Sequence, residues 1–550
     1  MNHKQLSLFL GKFLFFLSLV LLLPLGVALY YDFFAPQTLY PQPHSSLGFF
    51  FTILISFGLS LLFFLLGQGA KSVLGRKEAI LLVVVIWLIS CWIGSLPFLF
   101  TKTLSSPIDA YFESMSGFTT TGASIFHPKA YDSAGKEVPI HYQNPKVPGK
   151  TYVFYGTITP VKHHKTHELL YQGVEAVSKG VVFWRSLTQW LGGLGIVVLF
   201  LAIFPALAVG GKFLFHVEVP GPFKESLFPM VKDTASLLWK LYLSLTILQI
   251  YLLVWTNDQM PLFDAFCITF ATLSTGGFAV TNSSIGSYHN IHTEWIIIIF
   301  MILGSINFNL YFHLIRRKLY QIYEPDFLFF ILVTLVGALG VSLTLVGAPH
   351  QSLAGINQGI YSFWAALRDG FFQSISVQTT TGFATTNYDV WPYAPQLFLL
   401  LLMFVGGMAG STAGGIKTSR FYILFKILRH KLEEIFRPEK VLKLKISGKE
   451  IDAKTEITVL AFFTIVILFA ALGICIFVVD GVDTDSALGA VACMINNVGL
   501  GFRAGGPTQS FAFLPPLSKI VSIFWMLLGR LEFFAVLMLF VPSFWRTTKN

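Results

Sequence analysis

The chain has 550 residues, of which 54% are hydrophobic and only 12% are charged, and its mean hydropathy is +0.68. Soluble domains carry about 25% charged residues, so this composition excludes a soluble protein and indicates a polytopic membrane protein surrounded by lipid. The formal net charge of +10 requires no nucleic-acid partner, because the basic residues are concentrated in links between apolar stretches.

Ten apolar stretches are each long enough to cross a hydrocarbon core of about 30 Å. They predict membrane-spanning helices at 8–31, 46–67, 79–100, 183–209, 235–256, 293–315, 325–347, 393–429, 455–480 and 516–541. The first stretch exceeds the roughly 7–15 apolar residues of a secretory signal, and no clear cleavage site of small residues follows it. We therefore expect it to remain as a transmembrane helix.

Four further apolar stretches are too short to cross the membrane, and each lies between two of the predicted spans. They predict half-helices 1 to 4 at 107–118, 262–273, 362–378 and 485–495. Each half-helix leads into a polar segment with a glycine. We call these segments loops 1 to 4, at 119–123, 274–278, 379–383 and 496–500. Polar loops are costly in hydrocarbon unless they line a water-filled path.

The predicted fold is therefore all-α, with two additional transmembrane helices in 1–78 followed by four units of helix, half-helix, loop and helix. The units are 79–210, 235–318, 325–430 and 455–545. The first unit carries an insertion at 125–178, in which Thr151–Thr159 alternates like a strand. We expect this insertion to form a small extracellular excursion.

One glycine occupies the same place in every loop, at positions 122, 277, 382 and 499. Glycine adopts positive φ without steric cost, and a ring of four such loops could turn backbone carbonyls toward a dehydrated cation. The loops contain no carboxylate, which calcium or magnesium would favour, so they indicate a monovalent ion. The alternative is a set of helix-breaking glycines between ordinary spans.

The segment Val405–Lys417 interrupts the predicted span 393–429 with five glycines within ten residues. Glycine costs about 1 kcal/mol per helical position relative to alanine, so the helix is expected to break there. A nucleotide-binding P-loop is disfavoured, because Lys417 lies one place too late and no strand precedes the segment. A packing kink and a flexible intramembrane loop remain open.

Arg530 lies within the last predicted span, where a charge costs on the order of 2.5–3.5 kcal/mol on insertion scales. It is therefore expected to face a pore or a partner, although an arginine that reaches the interface remains possible. Glu532 lies roughly on the opposite side of a helix and is a poor partner for it.

Lysine and arginine crowd the links between units and both termini, so these are predicted to be cytoplasmic. The loops would then open from the outside. Four acidic residues lie near the starts of the half-helices, where they could draw cations toward the pore or stabilise the helix N-termini. They are Asp109, Glu113, Asp264 and Asp369.

Several stretches resemble the Trk/Ktr/HKT superfamily of potassium transporters, and most closely its TrkH-type branch. They are Ser116–Gly122, Arg185–Gly195, Gly406–Lys417 and Gly529–Glu532. The resemblance covers nearly the whole chain, and the two leading helices are similar to the TrkH branch. It implies four unequal repeats around a pseudo-fourfold pore in one subunit.

The resemblance also implies roles for individual residues. Carried over by motif, the potassium-binding filter would consist of Thr120, Thr121, Gly122, Thr275, Gly276, Gly277, Thr380, Thr381, Gly382, Asn497, Val498 and Gly499. A gating loop below the filter, with Arg530 as an electrostatic barrier, would comprise Gly406, Gly407, Gly410, Ser411, Thr412, Gly414, Gly415 and Lys417.

By the same resemblance, the chain would take up potassium across a bacterial cytoplasmic (inner) membrane. It would act as a homodimer with a cytoplasmic nucleotide-binding ring of the TrkA type, which could dock on the basic stretch Arg420–Lys449. Potassium is the transported ion, and no covalently bound cofactor is expected. A symporter that couples potassium to protons or sodium remains the alternative. A membrane enzyme is disfavoured, since the sequence has no recognisable catalytic motif.

Overall fold

The computed structural model describes residues 3–70, 74–144, 146–147, 149–163, 168–195, 231–317, 323–437, 445–446, 449–450 and 453–546. These residues are mostly helical. Up to residue 317 the helices are His3–Val20, Leu22–Leu29, Ser46–Leu66, Arg76–Phe100, Pro107–Phe118, Lys179–Gly193, Val231–Thr256, Leu262–Leu273, Ile291–Ser305 and Phe308–Ile315.

The remaining helices belong to the third and fourth units and complete the described part of the chain. They are Pro325–Leu345, Phe363–Gln378, Tyr393–Phe404, Thr418–Phe436, Ala453–Val479, Thr484–Asn496, Pro516–Arg530, Phe534–Leu537 and Pro542–Trp545. Among the described residues, six helices are long and apolar enough to cross a membrane, or up to eight if each of two bent helix pairs is one span.

The half-helices form where the sequence predicts them. Two have the predicted bounds, Pro107–Phe118 and Leu262–Leu273, and the other two differ by no more than one residue at either end. Local caps define three of the starts. The side chains of Ser106, Ser362 and Asp483 accept hydrogen bonds from backbone amides of the first turn, which satisfies donors that a helix N-terminus leaves free.

Three predicted spans are not single helices. The prediction of 293–315 as one helix is wrong, because the chain bends by 97° after Ser305 and the side chain of Asn307 caps a new helix. The prediction of 516–541 is also wrong, since the chain bends by 112° after Arg530. The break expected within 393–429 is confirmed. Of 183–209, the helix is described to Gly193, and residues 196–209 lie outside the described ranges.

Burial in this fold is inverted relative to a soluble protein. The polar side chains of Thr121, Thr381 and Asn497 have no exposed surface, whereas Leu65 is 64% and Leu343 is 63% exposed. Such a pattern is expected where the surrounding solvent is hydrocarbon and the polar groups line an internal path. The loops therefore lie inside the bundle, and most of the long spans form its apolar outer surface, whereas Arg76–Phe100 is largely buried.

The described part of the insertion folds into short antiparallel hairpins, which are followed by a 3-10 helix at Gly173–Ala176. Its best-formed hairpin pairs Ile140–Gln143 with Thr151–Phe154, which confirms the strand-like alternation in this stretch. The hairpin extends to the third and fourth units, where Asn144 Nδ2 donates to Asp389 at 2.7 Å and the Tyr152 hydroxyl accepts from the Asp483 amide at 2.9 Å. It therefore covers the side on which the half-helices begin.

Candidate ion-conduction site

Each loop begins where a half-helix ends, and its backbone amides turn back onto that half-helix. In loop 1 the amides of Thr121 and Gly122 both donate to the carbonyl oxygen of Ser116, at 2.9 and 3.4 Å. The same pair of amides donates to Ala271 in loop 2 and to Ser376 in loop 3. These amides bond to carbonyls of their own half-helix and not to carbonyls of the loops. The loop carbonyls can therefore face the neighbouring units.

The four loops share one unusual backbone conformation. The central glycines have positive φ, and so does the residue two places before each of them, although it is not a glycine. The φ angles are 80°, 76°, 82° and 89° at Gly122, Gly277, Gly382 and Gly499, and 54°, 53°, 57° and 53° at Thr120, Thr275, Thr380 and Asn497. Non-glycine residues in this region carry strain that the surrounding structure must hold in place.

The loops close a ring. The central glycine of each loop lies so near a carbonyl oxygen of the next loop that an added Cβ would collide with it. These contacts run from Gly122 to Gly276, from Gly277 to Thr381, from Gly382 to Val498, and from Gly499 back to Thr121. All twelve residues predicted for the filter therefore lie in one ring of four loops, with the same backbone position meeting the next loop each time.

Loop 2 differs from the others because it has Gly276 where loops 1 and 3 have threonine. The space that a side chain would fill is taken by Gln189. Its Nε2 donates to the Gly276 carbonyl at 2.6 Å, and its Oε1 accepts from the Phe278 amide at 3.0 Å. Sequence reasoning assigned Gln189 no role of its own, although the residue lies within the motif that carries the family resemblance.

A cavity of about 140 Å³ lies directly above the ring on the side of the insertion, and all four central glycines line it. Arg185 lies at its wall and forms an ion pair with Glu113, with Nε 2.6 Å from the carboxylate. The guanidinium also lies over the ring of Phe278, 3.6 Å from its centroid. Glu113 further accepts from the Ile125 amide at 2.9 Å. This pair joins loop 1 to loop 2.

The acidic residues near the half-helices do not form a ring of free charges above the loops. Glu113 and Asp369 are fully buried, which favours a structural role for these two over the alternative that they draw cations toward the pore. Asp369 lies 3.3 Å from His350 and 3.0 Å from Arg368. Asp109 pairs with Lys519 at 2.8 Å. Burial with a charged or polar partner indicates a structural role.

Arg185→Ala should lower the free energy of unfolding by about 3–5 kcal/mol, because it leaves a buried carboxylate without its partner. Denaturant unfolding of the purified protein in detergent micelles measures this loss. Arg429→Ala is the matched control, since the pair it breaks with Glu433 is 80% and 44% exposed and exposed pairs contribute about 0–1 kcal/mol. Equal effects of the two substitutions would contradict the structural role of Arg185.

The segment 405–417 lies directly under the ring. The Gly414 amide donates to the Thr380 hydroxyl of loop 3 at 2.7 Å. A Cβ on Gly414 would come within 2.7 Å of Cβ of Asn497 in loop 4. Thr412 attaches the segment to the second unit, because its hydroxyl donates to the Leu273 carbonyl at 2.8 Å and its amide donates to the Gly304 carbonyl at 3.1 Å. The segment therefore touches three units at once.

The other residues predicted for the gate shape this segment from within. The glycines allow neighbouring backbone segments to pack closely or adopt a positive φ, and the polar side chains bond to backbone of the same segment. Gly406 donates to Ile416, Gly407 accepts from Thr418, Gly410 and Gly415 have φ of 74° and 69°, Ser411 Oγ donates to Met408, and the buried Lys417 Nζ donates to Ala413. The segment is an ordered non-helical loop rather than a packing kink.

Arg530 lies at the level of this segment. Its NH1 donates to the Thr412 carbonyl at 2.8 Å and to the Thr120 hydroxyl of loop 1 at 3.1 Å. Its NH2 donates to the Gly193 carbonyl at 2.7 Å. The guanidinium thus joins loop 1, the segment 405–417 and the helix after the insertion. The sequence-based expectation that Arg530 faces inward is consistent with these contacts, and an interfacial arginine is not.

A second ion pair lies where the last helix bends. Arg420 NH2 donates to Glu532 at 2.5 Å, and its guanidinium lies over the ring of Phe462, 3.8 Å from the centroid. Glu532 and Phe533 both have positive φ, 55° and 60°. Arg420, which the sequence marked only as part of a basic stretch, therefore holds the helix end just below Arg530.

Comparisons with known proteins agree with this geometry. A TrkH family model, described as a cation transport protein, matches residues 162–547. The potassium uptake protein TrkH of Salmonella typhimurium is 32% identical over 551 residues, which cover 99% of this chain and 100% of that protein. TrkG of Escherichia coli K12 is 32% identical over 558 residues, with 99% of each chain covered.

A solved structure extends the match to the fold. The crystal structure of the potassium transporter TrkH from Vibrio parahaemolyticus matches with a TM-score of 0.77 and 28% sequence identity, covering 99% of this chain and 100% of that one. The sequence-based resemblance and the all-α polytopic membrane fold are thereby confirmed. This chain belongs to the TrkH family of cation transport proteins.

Proposed function

We propose that this chain is the ion-conducting subunit of a bacterial potassium uptake system. The observation that supports this most directly is the closed ring in which each central glycine meets a carbonyl of the next loop. Backbone carbonyls in such a ring can replace the hydration shell of potassium. Inward flux would be driven by the membrane potential, which contributes about 2.3 kcal/mol per charge per 100 mV.

The twelve ring residues would form a short filter. A T-V-G-Y-G filter has a second glycine, whereas here Ala123, Phe278 and Phe383 follow the central glycine of the first three loops. The Phe383 carbonyl accepts from Ser376 Oγ at 2.7 Å, so it is bound to its own half-helix. With this carbonyl withdrawn from the ring, fewer strong potassium sites remain.

Discrimination against sodium should accordingly be weaker than in a T-V-G-Y-G channel. Reversal potentials of the purified protein in planar bilayers, with potassium on one side and mixed potassium and sodium on the other, measure this directly. A T-V-G-Y-G channel in the same bilayers is the reference. Selectivity equal to that reference would contradict the short filter.

The segment 405–417 would act as the gate, with Arg530 as a fixed positive charge in the ion path. Support comes from the contacts of Gly414 with the Thr380 hydroxyl and with Asn497, immediately below the ring. A non-helical segment can move more easily than a membrane-spanning helix, because its movement does not break a regular series of backbone hydrogen bonds. Its displacement would open the path from the ring to the cytoplasm.

Regulation would come from the cytoplasmic side. The termini and the basic links would face the cytoplasm of a bacterial inner membrane, and the insertion would face outward. Helix Thr418–Phe436 follows the gate directly and exposes Arg429 and Lys431. We propose that a homodimer of this chain presents these helices to a nucleotide-binding ring of the TrkA type. After this helix, the basic stretch is described only at Arg437, at 445–446 and at Lys449.

Rubidium uptake into proteoliposomes tests the proposal. A channel should accumulate rubidium in proportion to an imposed membrane potential alone. A symporter would require a proton or sodium gradient and would move that ion in fixed ratio. Uptake that depends on such a gradient would favour the symport alternative, and absence of uptake in every condition with the regulator present would refute potassium conduction.

A further inference from the structure

A groove separates helix Tyr393–Phe404 of the third unit from half-helix 4, Thr484–Asn496. Its volume is about 390 Å³, within the range of about 300–1,000 Å³ that is typical of sites for small molecules. Its walls are mostly apolar, with Leu397, Leu400, Leu488 and Phe502 among them, and the polar side chains of Tyr393, Gln396, Asp485 and Arg503 also line it. The groove therefore has room for a ligand and is lined for an apolar one.

The position of the groove selects its ligand. Leu397 is 57% exposed on an apolar helix of a polytopic membrane protein, so the groove opens toward lipid hydrocarbon. Water in an apolar groove would have too few polar partners, and an empty groove would forfeit the dispersion contacts of its walls. A flexible alkyl chain can enter sideways from the bilayer and avoid both costs.

The end of the groove nearest the insertion is polar and aromatic. The ring of Tyr393 lies there, 5.2 Å from Nζ of Lys146 and 5.8 Å from the guanidinium of Arg503. Amphipathic aromatic rings and lysines with flexible stems are typical of the headgroup level of a membrane. A lipid with its acyl chain between the leucines would place its phosphate near Lys146.

We infer that this groove binds one acyl chain of a phospholipid, with the phosphate at Tyr393 and Lys146. The bound chain would complete the packing of half-helix 4 on the side away from the ring. Gly489 forms part of the floor, and a Cβ there would lie only 2.7 Å from the Phe502 amide nitrogen. Half-helix 4 therefore packs closely on the segment that carries Phe502 at the groove.

Photolabelling tests the inference. The full-length protein is reconstituted with phosphatidylethanolamine that carries a diazirine in one acyl chain, and labelled peptides are quantified by mass spectrometry. Wild-type protein should be labelled in 393–404 and 484–496, and unlabelled phospholipid should compete. Leu397→Trp and Leu488→Trp, which fill the groove from opposite walls, should each reduce this labelling about tenfold, the effect of displacing some two buried methylenes.

Leu401→Trp is the matched control, because Leu401 is 58% exposed on the same helix but does not line the groove. It should keep wild-type labelling. Retained rubidium uptake and an unchanged elution volume show that each variant is folded. Equal labelling in all four proteins would overturn the inference, and so would labelling by a diazirine fatty acid but not by the phospholipid. Covalent dimers formed through a further variant, Leu397→Cys, would also overturn it, because they would place a second copy of the chain over the groove.

Discussion

Gly382→Ala should lower rubidium uptake into proteoliposomes by about tenfold or more and should reduce the preference for rubidium over lithium. Two costs add at this position. The residue has φ of 82°, where an L-residue is strained by about 1–2 kcal/mol. The new Cβ would also collide with the Val498 carbonyl oxygen of loop 4, so that carbonyl must rotate out of the ring.

Gly355→Ala separates these two costs. Gly355 lies in the same unit with φ of 79°, but nothing lies within 4 Å of the position of its Cβ. It therefore introduces the same backbone strain without a collision, and uptake and ion preference should stay near wild type. Uptake by Gly382→Ala that matches Gly355→Ala, with the rubidium preference intact, would show that the loop carbonyls do not bind the ion.

Arg530→Ala should increase potassium leak through the protein, measured without the regulator, by up to about a thousandfold. A unit charge about 4 Å from a cation in a medium of effective dielectric constant near 20 raises its energy by about 4 kcal/mol, so removal of the guanidinium lowers the barrier. The substitution also removes the bond to the Thr412 carbonyl at 2.8 Å, which frees one attachment of the segment 405–417.

Arg530→Lys is the control for this effect, since it keeps the charge and loses the forked geometry that joins Thr120, Thr412 and Gly193. Leak through Arg530→Lys that stays near wild type would assign the barrier to the charge. Leak as high as in Arg530→Ala would assign it to the anchoring of the segment. Unchanged potassium and sodium flux in both variants would remove Arg530 from the ion path.

Much of the architecture can be predicted from the sequence, because segments that cross hydrocarbon must be apolar and must satisfy their own backbone hydrogen bonds. Apolar length distinguishes the spans from the half-helices, and the bounds of the half-helices are predicted to within one residue. The breaks after Ser305 and Arg530 escaped prediction. Both lie within apolar runs, and at both the chain contacts the third unit: the Phe308 amide donates to the Gly410 carbonyl at 3.1 Å, and Arg420 donates to Glu532 at 2.5 Å.

Repeated crossing of the membrane, and the interruption of the apolar helices by four glycine-bearing loops, can be predicted from the amino-acid sequence. This is possible because hydropathy and glycine are local properties. Three contacts become visible only in the folded chain: Gly499 meets Thr121 and closes the ring, Gln189 bonds to the backbone of loop 2, and Glu113 pairs with Arg185. These contacts join residues far apart in the chain, and their energies exist only once the four units have packed together.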